Sequence, residues 1–354
     1  KLVSGGNADI IFGEAAEGKN FGWVWDLAVD RDGTIYFTHS QDDQLYRIDG
    51  ATGTLDVQPG ISRIQSFFLN QQERQIYYVV QGDIIRNDLE SNQSFRVGGL
   101  GTDLFSSNAQ EAYFPAYLIT GSENGDLFSL GYFGEWEDEG EAFRVFRISY
   151  SSSVGTSSIP NDLQANSKLG DSVASKDSWI AVGVPGSQHQ DGNIGEVLVY
   201  QNNDCRPILR DRLHVPEGLT GSQFGSQVAF VGENLVIGAF DQSQSQPEQT
   251  EHSFRLGLYG LENRRWRFTK NLTHSLPGDG NSGEGEDLVA SGNTFAVGSP
   301  NADGGRGLVT VFSIEDIDNP VLVHPTLPEA GRFGRSLALN DNRLAVGLLD
   351  GGLQ

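Results

Sequence analysis

The chain has 354 residues, with 47 acidic side chains against 24 basic ones and a formal net charge of -23. This balance excludes a nucleic-acid or anionic-membrane binder that works by bulk charge, because phosphate contacts need a cationic surface. No apolar run approaches the roughly 18 residues of a spanning helix, and the single cysteine, Cys205, excludes an internal disulfide and a cysteine-ligated zinc site.

Forty-five glycines, 37% hydrophobic residues and the lack of a sustained 3.6-residue period point to an all-β body of short strands and tight turns. In chain order, the first apolar stretch is Ala8-Asp9-Ile10-Ile11-Phe12, which belongs to no repeat. The chain opens on Lys1 without a signal-like segment, which reads as a processed chain or a fragment. Strand-like runs follow at Trp25 to Asp30 and Thr34 to Thr38, separated by Arg31-Asp32-Gly33, and at Gln44 to Asp49. This unit is similar to blades of the NHL and gluconolactonase-like propellers. Looser copies follow at Gln75 to Val80 with Asp83 to Arg86, and at Tyr117 to Thr120 with Asp126 to Leu130.

From residue 161 the repetition tightens. Glycine pairs thirteen positions apart recur at Gly170/Gly183, Gly225/Gly238, Gly285/Gly298 and Gly334/Gly347. Period-two apolar runs meet across short turns at Ser175-Lys176-Asp177, Gly232-Glu233-Asn234, Ser291-Gly292-Asn293 and Asn340-Asp341-Asn342, which is hairpin chemistry. Third strands are expected at Gly195 to Tyr200, Phe254 to Tyr259 and Gly307 to Phe312. More polar fourth strands are expected at Ile208 to Val215, Trp266 to Thr273 and Pro320 to Leu327, where polarity suits an outer edge. The segments Leu169-Gly170-Asp171-Ser172, Phe224-Gly225, Phe333-Gly334 and their partner glycines resemble FG-GAP repeats, the blades of integrin-alpha-type propellers. The Asp/Asn-rich calcium loop of that family has no counterpart here, so calcium is not carried over.

The expected fold is a seven-bladed β-propeller of four-stranded antiparallel blades, formed as one domain over residues 1–354. Residues 1–20 supply a lead-in and closing strand, 21–160 three degenerate blades, and 161–354 four FG-GAP-like blades, the last incomplete. Pairing of residues 8–12 with 343–348 would close the ring and remove exposed edges.

Candidate site residues are few. No confident metal set exists. The loop Asp279 to Asp287 alternates oxygen ligands with glycines, and Asp279, Asn281 and Glu284 are its weak calcium candidates. Inter-strand loops on a rigid ring carry binding, which nominates His189, Asp191, Asn301 and Asp303, together with Trp136 in the acidic segment Glu135 to Glu141. Trp266 shares that polar kind of surrounding. The sequons at Asn92 and Asn271 are glycan acceptors in a secreted eukaryotic chain.

The leading functional expectation is a non-catalytic extracellular or cell-surface propeller, without cofactor, that binds a protein or glycan within a larger protein or assembly. One alternative is a structural subunit of an extracellular filament that contacts copies of itself. The other is a metal-dependent hydrolase, implied by the lactonase likeness of the first unit, with Glu14, Asp26 and Asp83 as the carboxylates to consider.

Overall fold

The computed structural model describes residues 24–39, 42–62, 64, 66–71, 74–80, 83–99, 116–121, 127–133, 142–148, 155–156, 163, 167–188, 194–203, 206–216, 222–241, 253–272, 287–324, 331–340 and 343–347. Nearly all of them lie in antiparallel meanders. The first sheet runs β1 (Val24–Val29), β2 (Ile35–His39), β3 (Asp42–Ile48), β4 (Leu55–Ser62). The second runs β5 (Phe67–Asn70), β6 (Gln75–Val80), β7 (Asp83–Asp88), β8 (Ser94–Gly99). The third runs β9 (Ala116–Gly121), β10 (Leu127–Phe133), β11 (Ala142–Ile148), β12 (Gly155–Thr156).

Two further meanders share one eight-stranded sheet. They are β13 (Val173–Lys176), β14 (Trp179–Gln188), β15 (Ile194–Asn203), β16 (Arg206–His214), and β17 (Ser222–Val231), β18 (Asn234–Asp241), β19 (Ser253–Glu262), β20 (Arg265–Leu272). Next come β21 (Leu288–Ser291), β22 (Thr294–Ser299), β23 (Leu308–Ser313) and β24 (Val321–Val323), then the hairpin β25 (Leu337–Leu339), β26 (Leu344–Val346). The strands expected among the described residues are present; the fourth strand expected at Pro320 to Leu327 is shorter, at Val321–Val323.

The turns follow from backbone chemistry. Asp177, Gly232 and Gly292 take positive φ values of 51°, 54° and 55°, as tight hairpins require. β20 shows the outer-strand pattern, exposing Arg265, Arg267, Phe268 and Thr269 while burying Trp266 and Leu272.

Contacts divide the chain into two compact units, residues 1–58, 229–260 and 268–354 in one and residues 59–228 and 261–267 in the other. In the second unit, the core beneath β13 to β16 gathers Leu169, Ile180, Val182, Val184, Leu198 and Tyr200. In the first unit, Phe295 and Phe312 stack with ring centroids 4.7 Å apart inside a cluster that includes Val236, Leu256 and Leu272. The last hairpin packs on the first sheet, with Ala338 and Ala345 among Leu27, Val29, Phe37 and Ile48. The turn after β25 reinforces that contact: Asn340 Nδ2 donates to the Asp30 carbonyl at 2.9 Å, and Arg343 Nη1 to the Gly33 carbonyl at 3.3 Å.

The thirteen-residue glycine spacing has a direct cause. Within a repeat, the Gly170 amide donates to the Gly183 carbonyl at 2.7 Å, and the Gly183 amide to the Ser172 carbonyl at 2.8 Å. The last hairpin copies this pair with Gly334, Gly347 and Ser336 at 3.0 and 2.8 Å. Between repeats, glycine meets glycine. A Cβ on Gly183 would overlap the Gly225 carbonyl, and one on Gly298 would overlap the Gly334 carbonyl, while Gly225 and Gly334 hold φ of 90° and 95°. Parallel bridges Gly195 to Phe224 and Gly307 to Phe333 flank these contacts.

Gly183→Ala is therefore expected to lower the unfolding free energy by about 3 kcal/mol, as overpacking against rigid backbone does. Gly53 also has a positive φ of 68° but nothing near its Cβ position, so Gly53→Ala should cost only about 1 kcal/mol. Denaturant unfolding of the two variants checks this, and equal losses would contradict it.

Candidate active site

Two carboxylates of the first unit lie within electrostatic reach of each other, Asp26 and Asp287. Asp26 lies in β1 directly opposite Thr38 in β2, so the two side chains leave the same face of the pair. Asp26 is half-buried, and its Oδ1 accepts the Leu27 amide at 3.0 Å. Thr38 is 1% exposed, and its hydroxyl has no hydrogen-bond partner among the described residues.

Asp287 stands immediately before β21, two positions after Gly285, where two other repeats place Ser172 and Ser336. Its carbonyl accepts the Gly298 amide at 2.9 Å, so the repeat's own hydrogen bond fixes its backbone. Its side chain reaches forward to the next repeat, Oδ2 accepting the Leu337 amide at 2.7 Å. Ser172 makes the corresponding reach with a hydroxyl that donates to the Gly225 carbonyl at 2.9 Å. At Asp287 a carboxyl takes that place.

The consequence is electrostatic. Desolvation raises the Asp287 pKa to about 6; the amide of Leu337 opposes the rise, the negative charge of Asp26 adds to it, and the amide of Leu288 opposes it. Asp287 nevertheless keeps part of its surface open to solvent. A carboxyl enclosed by protein, reached by water, and beside a second carboxylate is suited to exchanging a proton near neutral pH.

The other candidates are not joined to this pair by any contact among the described residues. Asp83 opens β7 and belongs to the second unit. Glu14, Trp136, His189, Asp191, Asp279, Asn281 and Glu284 lie outside the described residues, as does the segment 8–12. Asn301 and Asp303 flank a tight turn in which Asp303 adopts φ 53° and pairs with Arg306 at 3.4 Å. That turn grips the following repeat, because the Gly305 and Arg306 carbonyls accept the Arg332 and Phe333 amides at 2.8 and 2.9 Å. Asn92 is exposed in a turn, whereas Asn271 is half-buried in β20. Trp266 departs from its expected polar setting: it is 4% exposed and meets Trp179 edge to face at 5.7 Å. Bulk explains this, since β20 turns its one tryptophan inward while its charged residues face water.

Asp287 was legible only as the end of a glycine-rich loop. The signal that singles it out is a carboxylate where repeat symmetry twice puts serine. No group of three His, Cys, Asp or Glu side chains suited to a metal occurs among the described residues; Glu14 lies outside them, so the set of Glu14, Asp26 and Asp83 is not tested by this.

Solved structures share this architecture. The chain matches virginiamycin B lyase from Staphylococcus aureus at TM-score 0.58 and 11% identity, covering 95% of this chain and 98% of that one. It matches hydrazine synthase from Kuenenia stuttgartiensis at TM-score 0.59 and 11% identity, over 94% of both chains. Oligogalacturonate lyase in complex with manganese matches at TM-score 0.54 and 13% identity, covering 94% of this chain and 89% of that one.

The chain has a β-propeller-like fold.

No protein-family profile matches this chain, so the FG-GAP likeness gains no support, and no curated protein matches it either. At these identities the likeness shows the propeller-like fold alone. It does correct one expectation. The expectation of a non-catalytic role rests on the propeller and its lack of familiar motifs, yet lyases share the propeller, so the architecture is no ground for denying chemistry.

The raised Asp287 pKa has a sign that can be checked. Below about pH 4 folded and unfolded chains both hold the proton, and as pH rises through 6 the folded chain must ionise an enclosed group. Ionisation thus costs stability, by about 3 kcal/mol for a shift of about two units. Between pH 4 and 7, Asp287→Asn should flatten the fall in unfolding free energy seen in the unmodified chain. Parallel pH profiles for the two proteins would contradict the assignment.

Proposed function

We propose that this propeller is a hydrolase acting on an ester or lactone, with Asp287 as general base and Asp26 as the charge that keeps its proton affinity high. The observation that carries the reading is the Asp287 carboxyl, enclosed but wet, with a pKa of about 6 beside a second carboxylate. Of two neighbouring carboxylates, one holds the negative charge and the other the proton. Burial gives Asp287 the proton, and Asp26 is the neighbouring negative charge that helps to hold it there.

Above pH 6 the Asp287 carboxylate takes a proton from a water molecule as the water oxygen attacks the carbonyl carbon. The carbon–oxygen bond then breaks, and the departing oxygen takes the proton back from Asp287. The buried Thr38 hydroxyl, across the β1–β2 pair from Asp26, orients the water. The resemblance of the first unit to lactonase-type propellers agrees with the substrate class, although no step passes through a metal. The lyases of like fold favour a second reading, in which the same base removes a proton from carbon.

The finer architecture belongs to this proposal. We infer seven blades, with the segment Ala8 to Phe12 completing the last one beside β26; the packing of β25 and β26 on the first sheet supports closure. An experimental structure with a different number of sheets, or with Ile10 remote from Val346, would overturn it. A secreted or cell-surface location is part of the same reading.

The test is hydrolysis of dihydrocoumarin and p-nitrophenyl acetate by the purified chain between pH 5 and 8. The rate should rise with an apparent pKa near 6, and Asp287→Asn should lower it at least a hundredfold, within the range of general base catalysis. Asp26→Asn should move the apparent pKa downward. A full rate in Asp287→Asn would contradict the proposal, and unsaturated products from polyuronate with no ester hydrolysis would favour the elimination reading.

A further inference from the structure

In the second unit, a chain of net charge -23 concentrates arginine on one strip. Arg210 on β16, Arg264 and Arg265 at the β19–β20 turn, and Arg267 on β20 are all exposed. The carboxylates within these stretches are Asp211 and Glu262, and Asp211 is already engaged. Its Oδ1 accepts Arg265 Nη1 at 2.9 Å and its Oδ2 accepts the Trp266 amide at 3.1 Å, while Arg265 also donates to the Arg210 carbonyl. These bonds fix β16 beside the turn, and the edge contact of Trp266 with Trp179 stiffens it from below. Arg265 and Arg267, two apart on one strand, leave the same face of it, their backbones about 7 Å apart.

The turn itself is unusual. Asn263 and Arg264 hold φ of 52° and 62°, the two positive values of a type I′ hairpin, whose second position favours glycine. Keeping an arginine there means accepting backbone strain to display a cation, and strain retained at an exposed site points to use. Large aliphatic side chains accompany the charges, Ile208 and Leu261 each being 39% exposed.

We propose that this strip docks an acidic peptide segment of a partner protein, one that mixes carboxylates with aliphatic side chains. Charge complementarity selects the sign, because the chain as a whole repels anions while this strip attracts them. Planar guanidinium forks take carboxylates in pairs. The exposed aliphatic neighbours Ile208 and Leu261 favour a peptide over an acidic glycan, because a peptide brings apolar side chains to meet them. The proposal is independent of the chemistry at Asp287.

The experiment is fluorescence anisotropy with a labelled octapeptide of alternating glutamate and leucine, at 50 and 300 mM salt. Binding should be saturable, weaken at higher salt, and fall at least tenfold in the double variant Arg264→Glu, Arg267→Glu. Arg264→Gly, which relieves the turn, should melt no lower than the unmodified chain and still bind more weakly. Equal binding by every variant, or none by the unmodified chain, would overturn the proposal. Tighter binding of a heparin oligosaccharide would reassign the strip to a glycan. Loss of a concentration-dependent dimer in the double variant would reassign it to a second copy of this chain.

Discussion

Backbone meets backbone at the junctions between repeats, and that contact exists only because no Cβ stands in the way. Gly183 faces Gly225, and Gly298 faces Gly334, each with a carbonyl where a methyl group would have to fit. Interior atoms pack at crystal-like density, so so close an approach sets the spacing of neighbouring sheets as rigidly as a covalent strut. Phe224 and Phe333, each within 2% of full burial, fill the space beside it.

This constraint also builds the candidate site. Ser172, Asp287 and Ser336, each two positions after a first glycine, are anchored by their carbonyls to the second glycine of the pair, and at Ser172 and Asp287 the side chain reaches the following repeat. With serine at Ser172 the result is one more hydrogen bond between repeats. With aspartate at Asp287 the same geometry delivers a carboxyl into enclosed surroundings, and the proton affinity rises because burial disfavours the charged form and the negative charge of Asp26 adds to that. A structural device that elsewhere only joins sheets has here become a titratable one.

Much of the fold could be read from the residues, because hairpin turns and period-two burial are local. Gln75–Val80 emerges with the boundaries that its β-branched and aromatic run implies. The shortened β24 shows where local reading fails: Val321–Val323 pairs only where β23 offers a partner register. The site was less legible. Asp26 could be named from a likeness, but Asp287 lies 261 positions away in sequence, and nothing local announces that the two share a field. Trp266 misled for a related reason, since its polar neighbours Arg265 and Arg267 point to the opposite face from its own ring. Side-chain direction, fixed by the strand, outweighs neighbouring composition.

The central claim is that Asp287 and Asp26 form one coupled acid pair, and carboxyl-carbon NMR titration of selectively labelled aspartate tests it most directly. The account predicts an Asp287 resonance that titrates near pH 6 and moves to lower pH when Asp26 is replaced by asparagine. Titration in the ordinary carboxylate range, or a midpoint indifferent to Asp26, would contradict it.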